Sequence, residues 1–152
     1  MHFYNIIKDL AEKNEVIMYV DMDGVISSYD IGKPLNFAAK RPLTENINKL
    51  KEISEIPNVE LYILSICKKD FQIDEKNVWL DKYAPFFKKK NRVIISKENT
   101  DIASSSQIKA DYLKNIVTDK QIVFLDDDNE ILKTVLKTAE NVIVFQDSEL
   151  ID

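Results

Sequence analysis

Two acidic clusters carry the chemistry of this chain. The first is Asp21-Met22-Asp23-Gly24-Val25 and the second is Asp126-Asp127-Asp128. Asp21 and Asp23 are one residue apart, which puts them on the same side of an extended chain. Like charges that close repel, unless a cation lies between them or one keeps its proton. Both conditions serve phosphoryl chemistry. Gly24 then lets the backbone turn sharply. Asp-Gly is also common in ordinary surface turns, so the motif gains meaning from what precedes it. Asp21 follows the apolar run Val16-Ile17-Met18-Tyr19-Val20, and Asp126 follows Ile122-Val123-Phe124-Leu125. A third run, Val59-Glu60-Leu61-Tyr62-Ile63-Leu64, ends at the hydroxyl of Ser65.

Composition removes other chemistries. His2 is the one histidine, and it stands near a chain end, so histidine triads and His-rich metal sites are excluded. Cys67 is the one cysteine, which leaves neither an internal disulfide nor a cysteine zinc site. Catalysis must run on carboxylates, lysines, hydroxyls or a metal. With Lys and Arg at 21 and Asp and Glu at 26, the net charge is −5. That disfavours a nucleic-acid polymer as partner. A small anionic substrate is still compatible, because a metal and a few local lysines can reverse the field within one cleft. Residues 1–15 are mixed and contain acids, unlike a signal peptide, and no apolar stretch is long enough for a membrane span. A cytoplasmic location is the default expectation.

The elements that must position these residues follow from periodicity. Phe3, Ile6, Ile7, Leu10 and Ala11 have helical spacing. Strand one is Val16–Val20. Asp30-Ile31-Gly32-Lys33-Pro34 is strong turn chemistry and predicts a small hairpin or flap. A helix with Thr44 or Pro42 near its start carries Ile47, Leu50 and Ile53, and Pro57-Asn58 ends it. Strand two is Val59–Leu64, followed by a helix over 74–83 with Trp79 as a core anchor. Lys88-Lys89-Lys90 reads as a solvated turn. Arg92–Ser96 is strand three. Ser104, Ser105 or Ser106 caps a helix bearing Ile108, Leu113, Lys109 and Lys114. Strand four, Gln121–Leu125, runs into the second acidic cluster, where Asp128 suits a cap. A helix over 130–139, a fifth strand over 142–145 and a polar tail complete the chain. Glycine occurs only at Gly24 and Gly32, so a Gly-rich phosphate loop is absent.

Strands alternating with helices predict one α/β domain over residues 1–152. It is a three-layer, Rossmann-like parallel sheet of about five strands, reached by right-handed crossovers. In the order 3-2-1-4-5, strands two, one and four are neighbours. Asp21, Ser65 and Asp126 then meet at one sheet edge, where ligands of such sheets bind.

This pattern resembles the haloacid dehalogenase superfamily of phosphatases over residues 16–145. Asp21-Met22-Asp23-Gly24-Val25 is similar to its first motif, Ser65 to the second, Lys109 to the third, and Asp126-Asp127 to the fourth. The resemblance implies a Mg²⁺-dependent phosphomonoester hydrolase. Asp21 is the implied nucleophile, forming an aspartyl-phosphate, and Asp23 the general acid and base. The implied Mg²⁺ site uses Asp21, the backbone carbonyl of Asp23, Asp126 and Asp127, and oxygen donors of this kind suit that ion. Ser65 and Lys109 are implied to hold the transferring phosphoryl group. Lys114 competes with Lys109, but its interval to Asp126 is tight for a turn and a strand. Cys67 reads as a buried bystander.

Members of the superfamily select substrates with inserted cap domains. Residues 22–64 and 66–108 are consumed by the predicted elements, so the expected type is capless, with an open site. Lys76-Asn77-Val78-Trp79-Leu80 leading to Tyr83-Ala84-Pro85-Phe86-Phe87 resembles the 5′(3′)-deoxyribonucleotidase branch. On that resemblance Tyr29, Phe37 and Arg41 could contact a base or sugar. The chain departs from the branch where Asp111-Tyr112-Leu113 is followed by Lys114-Asn115 and the acidic cluster comes later. The alternative is a catalytically weak metal- and phosphate-binding interaction module of the same fold.

Overall fold

Strand β1 (Val16–Val20) is the centre of a five-stranded sheet and is buried along its whole length. The computed structural model describes residues 2–29, 36–102 and 104–151. Around β1 lie β2 (Val59–Cys67), β3 (Arg92–Ser96), β4 (Gln121–Asp126) and β5 (Val142–Gln146), in the order β3-β2-β1-β4-β5. Each adjacent pair is parallel, as the alternation of strands and helices predicts. The helices are α1 (His2–Lys13), α2 (Thr44–Ser54), α3 (Phe71–Tyr83), α4 (Ser105–Lys114) and α5 (Asn129–Thr138).

Side-chain alternation divides the sheet between two cores. Val16, Met18 and Val20 of β1 join Leu61, Ile63, Val123 and Leu125 on the face covered by α1, α2 and α3. Ile17 and Tyr19 join Leu64, Ile122 and Phe124 on the face covered by α4 and α5. A sheet covered on both faces explains why its inner strands read as continuous apolar runs rather than alternating ones. Trp79 is the anchor expected of it, 1% exposed. Its ring meets Phe37 edge-on at 5.9 Å and lies tilted against Tyr83 at 4.9 Å.

Several boundaries differ from the sequence expectation. Strand β2 does not stop at Leu64. It continues through Cys67 because β3 supplies ladder partners, pairing Ser65 with Ile94, Ile66 with Ile95 and Cys67 with Ser96. Helix α3 begins at Phe71 rather than Asp74. Side chains serve the backbone donors ahead of it: Gln72 Oε1 accepts from the N–H groups of Lys68 and Lys69, and Glu98 Oε2 from that of Asp70. The residues after β5 are not a free polar tail. Residues Asp147–Ile151 form a 3₁₀ turn that packs against α1 and α2 and buries Leu150 completely. Two apolar helix residues, Val78 on α3 and Leu136 on α5, are largely exposed.

The flap expected after Gly24 has a described base. Leu43 N–H donates to Ile26 O and Ser28 N–H to Arg41 O, closing the loop where it leaves and rejoins the domain. The expected turn at Asp30-Ile31-Gly32-Lys33-Pro34 lies outside the described residues. Among the described residues the interval from Gly24 to α2 adds only the 3₁₀ turn Phe37–Ala39.

Truncating Leu150 tests the docked terminus. Leu150→Ala is expected to lower the unfolding free energy by about 2–5 kcal/mol, the usual cost of emptying a buried leucine site. Urea denaturation measures it, and an unchanged midpoint would show that the 3₁₀ turn contributes nothing to the core.

Candidate active site

The register of the central strands sets the site. Val20 pairs with Leu125, so Asp21 leaves β1 level with Asp126 of β4. Val20 also pairs with Ile63, which places Ser65 just beyond the same level on β2. Asp21 continues the alternation of Ile17 and Tyr19, and Asp126 that of Phe124, so both belong to the α4 side. Ser65 continues the alternation of Leu61 and Ile63 and belongs to the α3 side. One sheet edge therefore delivers polar groups toward helices on opposite faces.

On the α4 side, Lys109 lies between the two strand ends. Its Nζ donates to Asp21 Oδ1 at 2.9 Å and to Asp126 Oδ2 at 2.8 Å. It also stands 5.7 Å from the centre of the Phe124 ring. Lys109 is 2% exposed, Asp21 7% and Asp126 0%, so the three form a buried ion cluster. Lys109 is the one of the two candidate lysines that reaches the strand ends, and Lys114 is exposed at the far end of α4. Ser104 caps α4 by accepting from Gln107 N–H, and Asp128 caps α5 by accepting from the N–H groups of Glu130 and Ile131. Both caps agree with the sequence reading.

Asp21, Asp126 and Asp127 each offer a carboxylate oxygen within 4.8 Å of the others, a group able to hold a metal ion. The Asp23 carboxylate stands outside this group, so a metal ligand from Asp23 would have to be its backbone carbonyl. Asp23 Oδ1 instead accepts from Lys40 Nζ at 2.6 Å and from the Ser27 hydroxyl at 3.1 Å. Gly24 has φ +84°, the left-handed region that favours glycine. A Cβ there would overlap the Asp127 carboxylate, so the loop needs glycine for its conformation and for its neighbour.

On the α3 side, Ser65 meets a residue the sequence reading passed over. Lys76 Nζ donates to Ser65 Oγ at 2.5 Å and to Ile66 O at 3.0 Å. It also lies 3.7 Å from Asp23 Oδ2. Lys76 is 3% exposed. A signal was present: Lys76 precedes Trp79, Leu80 and Tyr83 by three, four and seven residues, the spacing of one helix face. Lys40 gave no such signal, since its place depends on the loop that returns it; Trp79 Nε1 donates to Lys40 O and holds that backbone.

Asp21, Asp23, Tyr29, Lys109, Asp126 and Asp127 are among the residues that line an open cleft of about 500 Å³. Tyr29 is exposed at the cleft. Phe37 is not available to a ligand as expected, because it is buried against Trp79. Arg41 is exposed. Cys67 is buried, and burial pushes its thiol up, which agrees with a bystander.

Burial pushes the Asp21 carboxyl up to about 6; Lys109 pulls it down, and Asp126 adds to the rise. Burial and then the Asp21 charge push Asp127 up to about 6. Burial disfavours the Lys109 ammonium, but Asp21 and Asp126 outweigh it and hold the ammonium above its ordinary value. Burial pulls Lys76 below its ordinary value against the pull of Asp23 and Asp21. The arrangement joins a buried carboxylate, a neighbouring acid, the Lys109 ammonium and hard oxygen donors on one cleft, with Lys76 held behind Asp23.

No protein-family model matches the chain, and no curated protein matches its sequence. Among solved structures it is similar to a chain of a Pnkp1/Rnl/Hen1 complex, with a TM-score of 0.68 and 19% identity. The match covers 88% of this chain and 46% of that one, so this chain spans under half of that chain's length. The likeness is one of fold. Among the described residues no helix is long and apolar enough to cross a membrane.

The raised carboxyls give a signed pH dependence. Between the usual carboxylate value, about 4, and about 6, the folded protein holds protons that the unfolded chain has lost. This contribution to stability is present at the acid end and disappears as pH rises through about 6. In chelator, Asp127→Asn is therefore expected to be more stable than the wild type at pH 7, with the gap closing toward pH 4. Calorimetric Tm values at both pH values test this; a gap that ignores pH would refute the assignment.

Proposed function

We propose that the chain is a Mg²⁺-dependent phosphomonoester hydrolase of the haloacid dehalogenase type, with Asp21 as nucleophile. The observation that carries this reading is the buried Lys109 bridging Asp21 and Asp126, with Asp127 completing a three-carboxylate group and Asp23 two residues from the nucleophile.

The donor set fits Mg²⁺. It consists of hard carboxylate oxygens, which this ion prefers. When ionised, Asp21, Asp23, Asp126 and Asp127 face three ammonium groups, Lys40, Lys76 and Lys109, leaving one negative charge in excess. Held by Asp21, Asp126 and Asp127, Mg²⁺ would make the cleft attractive to a phosphate monoester and polarise its phosphoryl oxygens.

The residues of the chain account for the proton and bond changes. Asp21 attacks phosphorus, the bond to the leaving oxygen breaks, and Asp23 gives that oxygen its proton. Asp23 then takes a proton from water as it attacks the aspartyl-phosphate, releasing inorganic phosphate and restoring Asp21. Lys109 holds Asp21 in place and supplies positive charge beside the equatorial oxygens. The Ser65 hydroxyl is the donor to the phosphoryl group from the other side. Exposed Tyr29 at an open cleft is compatible with a nucleotide as substrate, the finer form of the proposal.

The second reading, a metal- and phosphate-binding module with weak catalysis, draws on the Lys40–Asp23 contact of 2.6 Å. Lys40 competes there with the leaving group for the acid.

Phosphate release from para-nitrophenyl phosphate and a nucleoside monophosphate panel decides between them. Mg²⁺-dependent release is expected, abolished by chelator and reduced at least about a thousandfold in Asp21→Asn. Lys109→Met is expected to cost about a hundredfold or more, and Lys114→Ala to leave turnover unchanged. Mg²⁺ binding without turnover would establish the binding module instead.

A further inference from the structure

Lys76 has no role in the reaction as described, yet the fold keeps an ammonium group almost wholly out of water. Taking a lysine charge from water is costly and is sustained only where the group is paired and hydrogen-bonded. Its partners are Ser65 Oγ, Ile66 O and Asp23 Oδ2. Asp23 belongs to the proposed chemistry and Ser65 to the phosphate grip, so the buried charge connects two functional groups. Lys76 and Ser65 are both almost wholly buried behind the cleft wall, and of the partners of Lys76 it is Asp23 and Ile66 that border the cleft.

The chemistry of the Ser65 contact has a direction. An ammonium group has three donors and no acceptor, whereas a serine hydroxyl has one donor and two acceptor lone pairs. Toward Lys76, Ser65 Oγ can only accept. Its single hydrogen must point elsewhere, and Ser65 stands on β2 one step past the level at which the neighbouring β1 ends in Asp21. A phosphoryl oxygen there accepts hydrogen bonds and cannot donate one once ionised. Without Lys76 the hydroxyl could rotate its hydrogen to the Ile66 region or to the Asp23 carboxylate, and present a lone pair to the phosphate.

We propose that Lys76 is a positioning residue that fixes the polarity of Ser65, holding its hydroxyl as a hydrogen-bond donor to the phosphoryl group while tethering Asp23. The inference rests on the phosphatase reading. Lys76 and Lys109 then have divided tasks: Lys109 places charge beside the nucleophile, and Lys76 orients a neutral donor on the opposite side. Lys109 comes from α4 and Lys76 from α3, so each lysine reaches the sheet edge from its own face.

A double-mutant cycle tests the dependence of Lys76 on Ser65, using Ser65→Ala, Lys76→Met and the double variant with para-nitrophenyl phosphate and saturating Mg²⁺. Each single change is expected to lower kcat and kcat/KM together by about a hundredfold, as for loss of one donor to a developing charge. In the Ser65→Ala background, Lys76→Met should cost less than about tenfold, because most of its effect passes through the missing hydroxyl. Full additivity of the two losses would overturn the proposal, as would an effect confined to KM. Lys76→Gln, which keeps an N–H donor without the charge, should recover part of the Lys76→Met loss; no recovery would favour a purely electrostatic role. Circular dichroism and urea midpoints identify variants that have lost the fold. Should Lys76→Met be one of them, the ¹⁵N resonance of the Lys76 ammonium in the intact protein carries the test. It is expected to shift in Ser65→Ala and to stay hydrogen-bonded when inorganic phosphate and Mg²⁺ are added, and transfer of the ammonium to phosphate would overturn the proposal. A wild type that neither turns over phosphomonoesters nor binds phosphate removes the underlying reading, a result distinct from additivity in an active enzyme.

Discussion

The interaction on which the rest depends is the buried bridge from Lys109 to Asp21 and Asp126. It joins the ends of two neighbouring strands to a helix on one face of the sheet, and all three residues are almost wholly out of water. Such a cluster is a weak source of net stability, since desolvation opposes the Coulomb attraction. Losing one member is another matter, because it strands an uncompensated charge, which typically costs about 3–5 kcal/mol. The bridge therefore acts as a constraint: α4 must place Lys109 above Phe124, and β1 and β4 must keep the register that brings Asp21 level with Asp126.

The loop after β1 is shaped by that constraint. With Asp21 fixed, Asp127 comes close to Gly24, and only a residue without a Cβ and at ease with positive φ fits between them. Met22 O then accepts the N–H groups of Val25, Ile26 and Ser27, closing a tight turn that projects Asp23 toward Ser27 and Lys40. The acidic motif is thus a packed object rather than two carboxylates on a strand end. Its burial, more than its charge count, raises the Asp21 and Asp127 carboxyls.

Much of this was legible in the sequence. The strand order could be read because three apolar runs end in polar groups, and a parallel sheet brings such ends to one edge. The chain needed to reach Asp126 favoured Lys109 over Lys114 but left the choice open. Lys76 was missed because a lysine between Glu75 and Asn77 looks solvated, although its spacing to Trp79, Leu80 and Tyr83 placed it on the buried face. The extension of β2 to Cys67 depends on pairing with β3, which no local pattern announces. Leu150 is a single apolar residue among Asp147, Ser148 and Glu149, and its burial arises only when α1 and α2 offer a place for it.

The two buried lysines come from opposite layers, Lys76 from α3 and Lys109 from α4. During folding, a half-assembled species with only one helical layer docked would expose the sheet edge with its carboxylates missing one of these counterions. Mutual repulsion at Asp21, Asp23, Asp126 and Asp127 would then oppose further consolidation until the second layer arrived. The cleft is thus held in common by both helical layers, and its carboxylates have all their lysine partners only when both are docked.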